Sequence, residues 1–183
     1  NCHALFCTME VLYFYLKKTQ EKALNQFKSI QFYQPNDYLI LDPASQKNLE
    51  LIKNNHDGGR RNSLFAIVDK SKTAMGSRTI KKWLLRPLIN KEAIVQRQEV
   101  VEAIFKQINL MQQLDEILVQ ISDLERIIGR IALQRAPLQD YIALKYSLKL
   151  MPNLQNLIAS IEKPLARMIF NKIGSFESLV QLI

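Results

Sequence analysis

The chain has few of the residues that build metal centres. Its 183 residues include two cysteines and two histidines. These are Cys2, His3, Cys7 and His56, which lack the spacing of a four-ligand zinc site. We therefore assign no metal-ligating residue and predict that both cysteines are small hydrophobic residues of a helix.

Glycine is also scarce, with five residues in the whole chain. A nucleotide-binding P-loop needs glycines whose backbone N–H groups surround phosphate, followed by Lys and then Ser or Thr. Neither the Gly58-Gly59 pair nor Gly76 has that spacing. A Gly-x-Ser-x-Gly elbow around a nucleophilic serine is missing as well. We assign no catalytic and no cofactor-binding residue, and we expect that this chain does not hydrolyse ATP by itself.

Long apolar runs are missing too, because charged residues interrupt each run before the roughly 18 residues that a membrane span needs. Residues 5–16 are mostly apolar, but Glu10 interrupts them and no basic stretch precedes them, which argues against a secretory leader. We expect a cytoplasmic protein without a membrane partner.

The overall composition is that of a folded domain, with 48% hydrophobic and 23% charged residues. Lysine and arginine number 25 and aspartate and glutamate 17, which gives a net charge of +8. This excess favours attraction to polyanions such as nucleic acid without establishing a binding site.

Apolar residues recur at intervals of three and four along most of the chain. This periodicity predicts a mainly α fold, an irregular bundle of amphipathic helices. The predicted helices cover residues 5–16, 45–54, 74–86, 90–107 and 138–150, with others beginning at Leu124 and Pro164. The exception is residues 30–41, where two β-rich runs flank Gln-Pro-Asn-Asp at 34–37 and predict one small β-hairpin.

Two patterns concern helix ends. Ser122 and Glu125 match a capping box, in which the two side chains satisfy free N–H groups reciprocally. The apolar stripe that starts at Pro164 continues past Gly174 to the last residue, which predicts one unbroken helix with no stop signal. Because the first residue is Asn1 and not methionine, we expect an internal piece of a longer chain.

Basic residues are concentrated between residues 60 and 86. They are Arg60, Arg61, Lys70, Lys72, Lys81, Lys82 and Arg86. Such grouping suits phosphate binding through counterion release, but few aromatic side chains interleave with it to stack on bases. Two interpretations of this cluster stay open: it contacts DNA, or it is a charged surface that faces solvent or another domain. We assign no residue to nucleic-acid contact.

Two other features favour structural roles. Trp83 has helical spacing from apolar neighbours, which predicts a core anchor and not a base-stacking residue. The acidic pairs Asp115 with Glu116 and Asp123 with Glu125 are predicted to be solvated or first-turn helix charges, not acid–base catalysts.

A family resemblance rests mainly on residues 62–88. They contain Asn62-Ser-Leu, then Asp69-Lys-Ser-Lys-Thr-Ala-Met-Gly-Ser-Arg78, then Trp83-Leu and Pro87-Leu. This pattern closely resembles the core segment of the MutS family of DNA mismatch-repair ATPases. Flanking similarity at residues 15–20, 41–51, 94–102 and 123–133 extends it over nearly the whole chain. After Leu133 the chain departs from the family, because it lacks the second arginine of an Ala-Arg-Pro-Arg-Asp-Leu turn.

The resemblance implies which parts of the parent protein this chain contains and which lie outside it. Residues 1–25 would be a lead-in helix from the connector side, and residues 26–183 the first part of the core, or lever, domain. The mismatch wedge, the DNA clamp and the ATPase domain would lie outside this chain. The parent protein would be a bacterial, cytoplasmic homodimer, associated with the nucleoid when it acts. It would recognise mispaired or looped duplex DNA in the DNA damage response, use ATP and Mg, and recruit MutL. This chain would be a structural segment that transmits the ATPase state to the DNA grip.

Two alternatives to this function stay open. A helical scaffold for a protein partner would expose an apolar face on the final helix and be indifferent to DNA at low salt. A MutS paralogue that acts in recombination instead of repair would share this segment, because the domains that distinguish it would lie elsewhere.

Overall fold

The computed structural model describes residues 2–19 and 38–183. The chain forms two compact units, residues 1–35 and residues 36–183. The described helices are α1 (Cys2–Thr19), α2 (Pro43–Asn48), α3 (Leu64–Val68), α4 (Ala74–Leu85), α5 (Lys91–Phe105), α6 (Ile108–Gln120), α7 (Leu124–Ala132), α8 (Leu138–Lys149), α9 (Met151–Ala159), α10 (Pro164–Lys172) and α11 (Glu177–Leu182). The prediction of a mainly α fold is confirmed.

The predicted β-hairpin is not supported. Its first arm and its turn, up to residue 37, lie outside the described residues, and residues 38–183 contain no strand. Tyr38 instead forms an isolated antiparallel bridge with Leu88, and the Leu39 N–H donates to the Pro87 carbonyl at 2.8 Å. The β-rich run at 38–41 therefore pairs with the end of the segment after α4, a contact that local sequence spacing does not encode.

Side-chain caps start several helices at the residues that the sequence indicates. Ser63 and Asn90 accept hydrogen bonds from the backbone N–H groups of Ala66 and Ala93, as predicted. The predicted capping box at Ser122 is wrong, because Asp123 is the N-cap of α7. Asp and Ser are about equally good caps, so two adjacent candidates leave the position open until packing chooses between them.

Two apolar cores hold the larger unit. In the first, helices α7 and α8 with the adjoining ends of α6 and α9 bury Ile121, Ile127, Leu144, Leu148 and Met151. In the second, helices α5, α6, α9 and α10 surround Leu110, Ile161 and Ala166. Helices α6 and α9 contribute to both cores, so the two packing centres share structural elements.

The C-terminal stripe is two helices, which corrects the prediction of one unbroken helix. Helix α10 ends at Lys172 and α11 begins at Glu177, so a non-helical stretch that contains Gly174 separates them. Phe176 and Val180 still pack against the first core after the break. The apolar periodicity therefore continues across the interruption between the two helices, which explains why the sequence pattern does not reveal it.

The sequence predicts no membrane span, and the lengths and compositions of the described helices bear on this prediction. None of them is both long enough and apolar enough to cross a bilayer.

Candidate functional site

The predicted basic cluster is divided by ion pairs. Arg60 lies 2.5 Å from Asp69, and Lys72 lies 3.1 Å from Asp115. Arg61, Lys70, Lys81 and Lys82 form no ion pair with the described carboxylates. A continuous row of free cations, which the grouping in sequence permits, is therefore not what the fold builds.

Asp69 organises the turn between α3 and α4. Its carboxylate accepts hydrogen bonds from the hydroxyl groups of Ser71 and Ser77, each at 2.6 Å, and from Arg60. The Ser71 hydroxyl is the largest influence that lowers the pKa of Asp69 from 3.8 to about 2, and Ser77 is the next. The Arg60 guanidinium also stacks on the Phe65 ring at 4.3 Å. This turn is held by charge and hydrogen bonds on all sides.

Arg78 connects this turn region to α7. Its two terminal nitrogens donate to the two carboxylate oxygens of Asp123 at 2.8 and 2.6 Å, a bidentate geometry. The same guanidinium donates to Glu125 at 2.9 and 2.6 Å. Both acids raise the pKa of Arg78, and Arg78 lowers the pKa of Asp123 from 3.8 to about 2. The prediction of first-turn helix charges is confirmed, because Asp123 is the N-cap of α7 and Glu125 lies in its first turn. The sequence did not predict that both acids also bind a distant arginine.

Asp123 has two roles at once. One of its oxygens accepts from the Arg126 N–H at 3.4 Å as the cap of α7, and both oxygens bind Arg78. A negative carboxylate at a helix N-terminus is stabilised by the helix dipole as well. The fold thus uses one side chain to start α7 and to join it to α4.

The far end of α7 is anchored in the same way. Arg130, in its last turn, donates to the two carboxylate oxygens of the buried Asp140 on α8 at 2.5 and 2.7 Å. Arg130 lowers the pKa of Asp140. Helix α7 is therefore fixed at both ends by bidentate arginine–carboxylate pairs to two different helices. We name this arrangement, Arg78–Asp123–Glu125 with Arg130–Asp140, the α7 joint.

Packing supplements the α7 joint. Met75, in the first turn of α4, packs against the first core. The backbone N–H of Ser122, just before α7, donates to the fully buried Ser147 hydroxyl at 3.0 Å. The joint is therefore a combination of apolar contact and directed hydrogen bonds.

Trp83 is not the core anchor that its spacing predicts. Its side chain is 47% exposed, and the Arg97 guanidinium of α5 stacks on the indole ring at 3.9 Å. This contact joins α4 to α5 at the surface of the larger unit.

The side chains that bind metal ions in proteins do not cluster in the described part of the chain. Within residues 2–19 and 38–183, no three side chains of His, Cys, Asp or Glu come close enough to hold a metal ion. The assignment of no catalytic and no cofactor residue stays a prediction.

Comparison with known proteins decides the family. Residues 44–183 match the family model described as MutS domain III. The chain belongs to the MutS family. It is 36% identical over 169 residues to a DNA mismatch repair protein MutS of Caldicellulosiruptor saccharolyticus, which covers 92% of this chain and 20% of that protein. Proteins of the same name from Bacillus licheniformis and Bacillus subtilis are 37% and 36% identical over 172 residues, which cover 94% of this chain and 20% of each relative.

This MutS chain therefore spans about a fifth of the length of the curated relatives it matches. The matched region is domain III, a part of DNA mismatch repair proteins. The resemblance seen in residues 62–88 is confirmed at the level of the family. The domain boundary after residue 25 stays a prediction.

The sequence pattern identifies the segment that carries the family resemblance, but it does not predict the tertiary contacts of Arg78. Arg78 was visible within the family pattern, and Asp123 with Glu125 was visible as an acidic pair. Their separation of 45 and 47 positions gave no local signal that they meet. A charge pair that bridges two helices is a tertiary feature, so periodicity and spacing do not reveal it.

Proposed function

We propose that this chain is a structural and transmission segment of a DNA mismatch-repair protein that recognises mispaired DNA and couples recognition to ATP hydrolysis. The observation that carries the proposal is the α7 joint. A short helix fixed at both ends moves with its neighbours as a rigid unit, so a displacement of α4 passes through α7 to α8. This is what a lever between two distant sites requires.

The chemistry of the whole protein is assigned to other parts of it. The ATP that is hydrolysed, and its Mg, would bind outside these residues, since no P-loop spacing lies in them. Mispaired duplex DNA, MutL and a second copy of the protein are the partners we propose for the full-length molecule. We propose a cytoplasmic location, at the nucleoid during repair. These proposals rest on membership of the MutS family.

The test uses the full-length protein that carries this chain. Arg78→Met removes the guanidinium and keeps the apolar stem, whereas Arg126→Met is the matched control because Arg126 is 72% exposed and lies 3.5 Å from the same Asp123. We expect Arg78→Met to retain ATP turnover without DNA and to lose most of the additional turnover that heteroduplex DNA induces. If heteroduplex stimulation is the same in both variants, the α7 joint does not transmit.

The isolated chain offers a second test. We expect it to bind DNA weakly, with a steep dependence on salt and without preference for a mismatch. A titration with homoduplex and heteroduplex oligonucleotides measures this. A mismatch-selective affinity that survives high salt would show that the recognition chemistry lies in these residues.

A second candidate function is a helical scaffold for a protein partner. It is favoured by exposed apolar residues near the end of the chain, which include Met168, Ile169 and Leu182. Others that pack on the first core, such as Val180, leave less of this stripe for a partner. Substitution of the three exposed residues by serine would abolish partner binding under this candidate and leave heteroduplex-stimulated ATP turnover unchanged.

A further inference from the structure

A cavity of about 540 Å³ is lined by residues of α2, of the loop that follows α2 and of α4. Three lysines line it, and each comes from a different element. Lys47 is on α2, Lys53 is in the loop that follows, and Lys81 is on α4. The cavity therefore gathers positive charge from two helices and a loop into one place.

The charged residues that line the cavity are all basic. Among the described residues that line it, none is acidic. Three carboxylates lie within two positions of the lining residues, and each accepts a backbone N–H: Asp42 from Ser45 at 2.7 Å, Glu50 from Asn55 at 2.6 Å and Asp57 from Gly59 at 2.7 Å. The three lysines also form no ion pair with the described carboxylates. The residues that line the cavity therefore carry three positive charges and no negative one.

The cavity wall is held in place before any ligand arrives. Asn54 is buried, donates to the Arg61 carbonyl at 2.8 Å and accepts from the His56 and Asp57 N–H groups at 2.9 Å. The Asn55 amide donates to the carbonyl of Lys47 at 3.1 Å, which ties the loop to α2. A wall fixed by its own hydrogen bonds loses little conformational entropy when a ligand binds.

The remaining lining is suited to a ligand with an apolar part. Three apolar residues, Pro43, Ile52 and Leu85, are among those that line the cavity. The volume is within the range of small-molecule sites, about 300–1,000 Å³. Apolar walls with a few charged groups are the usual composition of such sites.

We propose that this cavity binds a phosphate group, with Lys47, Lys53 and Lys81 as its positive ligands. Lysine ammonium groups are established phosphate binders in proteins, as point charges with three donors. The phosphate belongs either to a nucleotide or to the backbone of DNA, and both present the same charged oxygens. This site is separate from the α7 joint, so it stands or falls independently of the proposed transmission role.

The experiment compares two triple variants of the full chain. Lys47→Gln, Lys53→Gln and Lys81→Gln together remove the cavity charge, whereas Lys18→Gln, Lys91→Gln and Lys172→Gln remove the same charge from residues that do not line the cavity. Binding of tripolyphosphate is followed by calorimetry at low salt, and backbone amide shifts locate the bound anion. Thermal melts of all three proteins verify that they are folded.

We expect one tripolyphosphate per chain, with amide shifts confined to residues 43–58 and 81–85. The cavity variant should bind about tenfold more weakly and the control variant less than threefold, because three exposed charge contacts are removed from the first alone. Equal weakening in both variants, shifts spread over the surface, or no binding at low salt would each overturn the proposal. ATP and a short duplex added as competitors identify the source: whichever displaces tripolyphosphate from the wild-type cavity supplies the phosphate, and displacement by neither overturns the proposal.

Discussion

Arg78 on α4 holds both carboxylate oxygens of Asp123, the residue that caps α7, with nitrogen–oxygen distances of 2.8 and 2.6 Å. The two residues are 45 positions apart in the chain. Their side chains are about one-third and one-fifth exposed, which places the pair between a surface and a buried ion pair. The link between α4 and α7 therefore depends on a bidentate ion pair that is partly exposed to water.

Removal of the Arg78 guanidinium should destabilise the chain. Arg78→Met leaves Asp123 without its charged partner, and we expect a loss in the free energy of unfolding that is larger than the loss from Arg126→Met. A double-mutant cycle with Asp123→Asn, which keeps an N-cap side chain, isolates the pair. Urea denaturation measures it. Arg126→Met should cost less than about 0.5 kcal/mol, since that pair is exposed. Additive effects of Arg78→Met and Asp123→Asn would contradict a direct coupling.

Stability should fall in acid because several carboxylates have lowered pKa values, and two of them are lowered to about 2. Asp69 and Asp123 both move from 3.8 to about 2 in the folded chain. A group whose pKa is lower when folded stabilises the fold above its unfolded pKa, and this contribution is lost as pH falls through the folded value. We expect a constant melting temperature above about pH 5 and a decline between about pH 4 and 2. The double variant Asp69→Asn, Asp123→Asn should show a shallower decline; an equally steep one would assign the acid response to other groups.

Glycine in the middle of α7 is an opportunity for stabilisation. A Cβ added at Gly129 meets nothing within 4 Å. Gly129→Ala should therefore raise the free energy of unfolding by about 0.5–1 kcal/mol, because alanine loses less backbone entropy in a helix. Gly76→Ala is the contrast, since its Cβ would lie 3.0 Å from the Thr73 hydroxyl that caps α4. Thermal denaturation should show a gain at Gly129 and none at Gly76; the reverse order would refute this explanation.

The buried hydroxyl of Ser147 should matter more than its size suggests. It accepts the Ser122 N–H at 3.0 Å and is fully buried. Ser147→Ala leaves that donor without a partner, so we expect a loss of about 1–3 kcal/mol. The matched control is Ser160→Ala, where an exposed hydroxyl donates to the Leu157 carbonyl. Comparable losses in chemical denaturation of the two variants would count against a cost from the orphaned donor.

The sequence predicts the mainly α fold and many of the helices, but not α6, α9 or the contacts that connect the helices. Caps such as Ser63 and Asn90 are local, so side-chain chemistry one turn away predicts them. The break near Gly174 was missed because the apolar stripe continues on both sides of it. The α7 joint was missed for a different reason: Arg78 has the same local surroundings whether it faces solvent or Asp123, and only the packed chain distinguishes the two.

Hydrogen exchange in the Arg78→Met variant of this chain tests the central claim most directly, that Arg78 couples α4 to α7 through Asp123. We predict that amides of α4 and of the first turn of α7 exchange about tenfold faster than in the wild type, a change equal to about 1.4 kcal/mol. Amides of α10, in the second core, should change much less. Wild-type exchange in α7, or an increase in α7 no larger than that in α10, would contradict the claim.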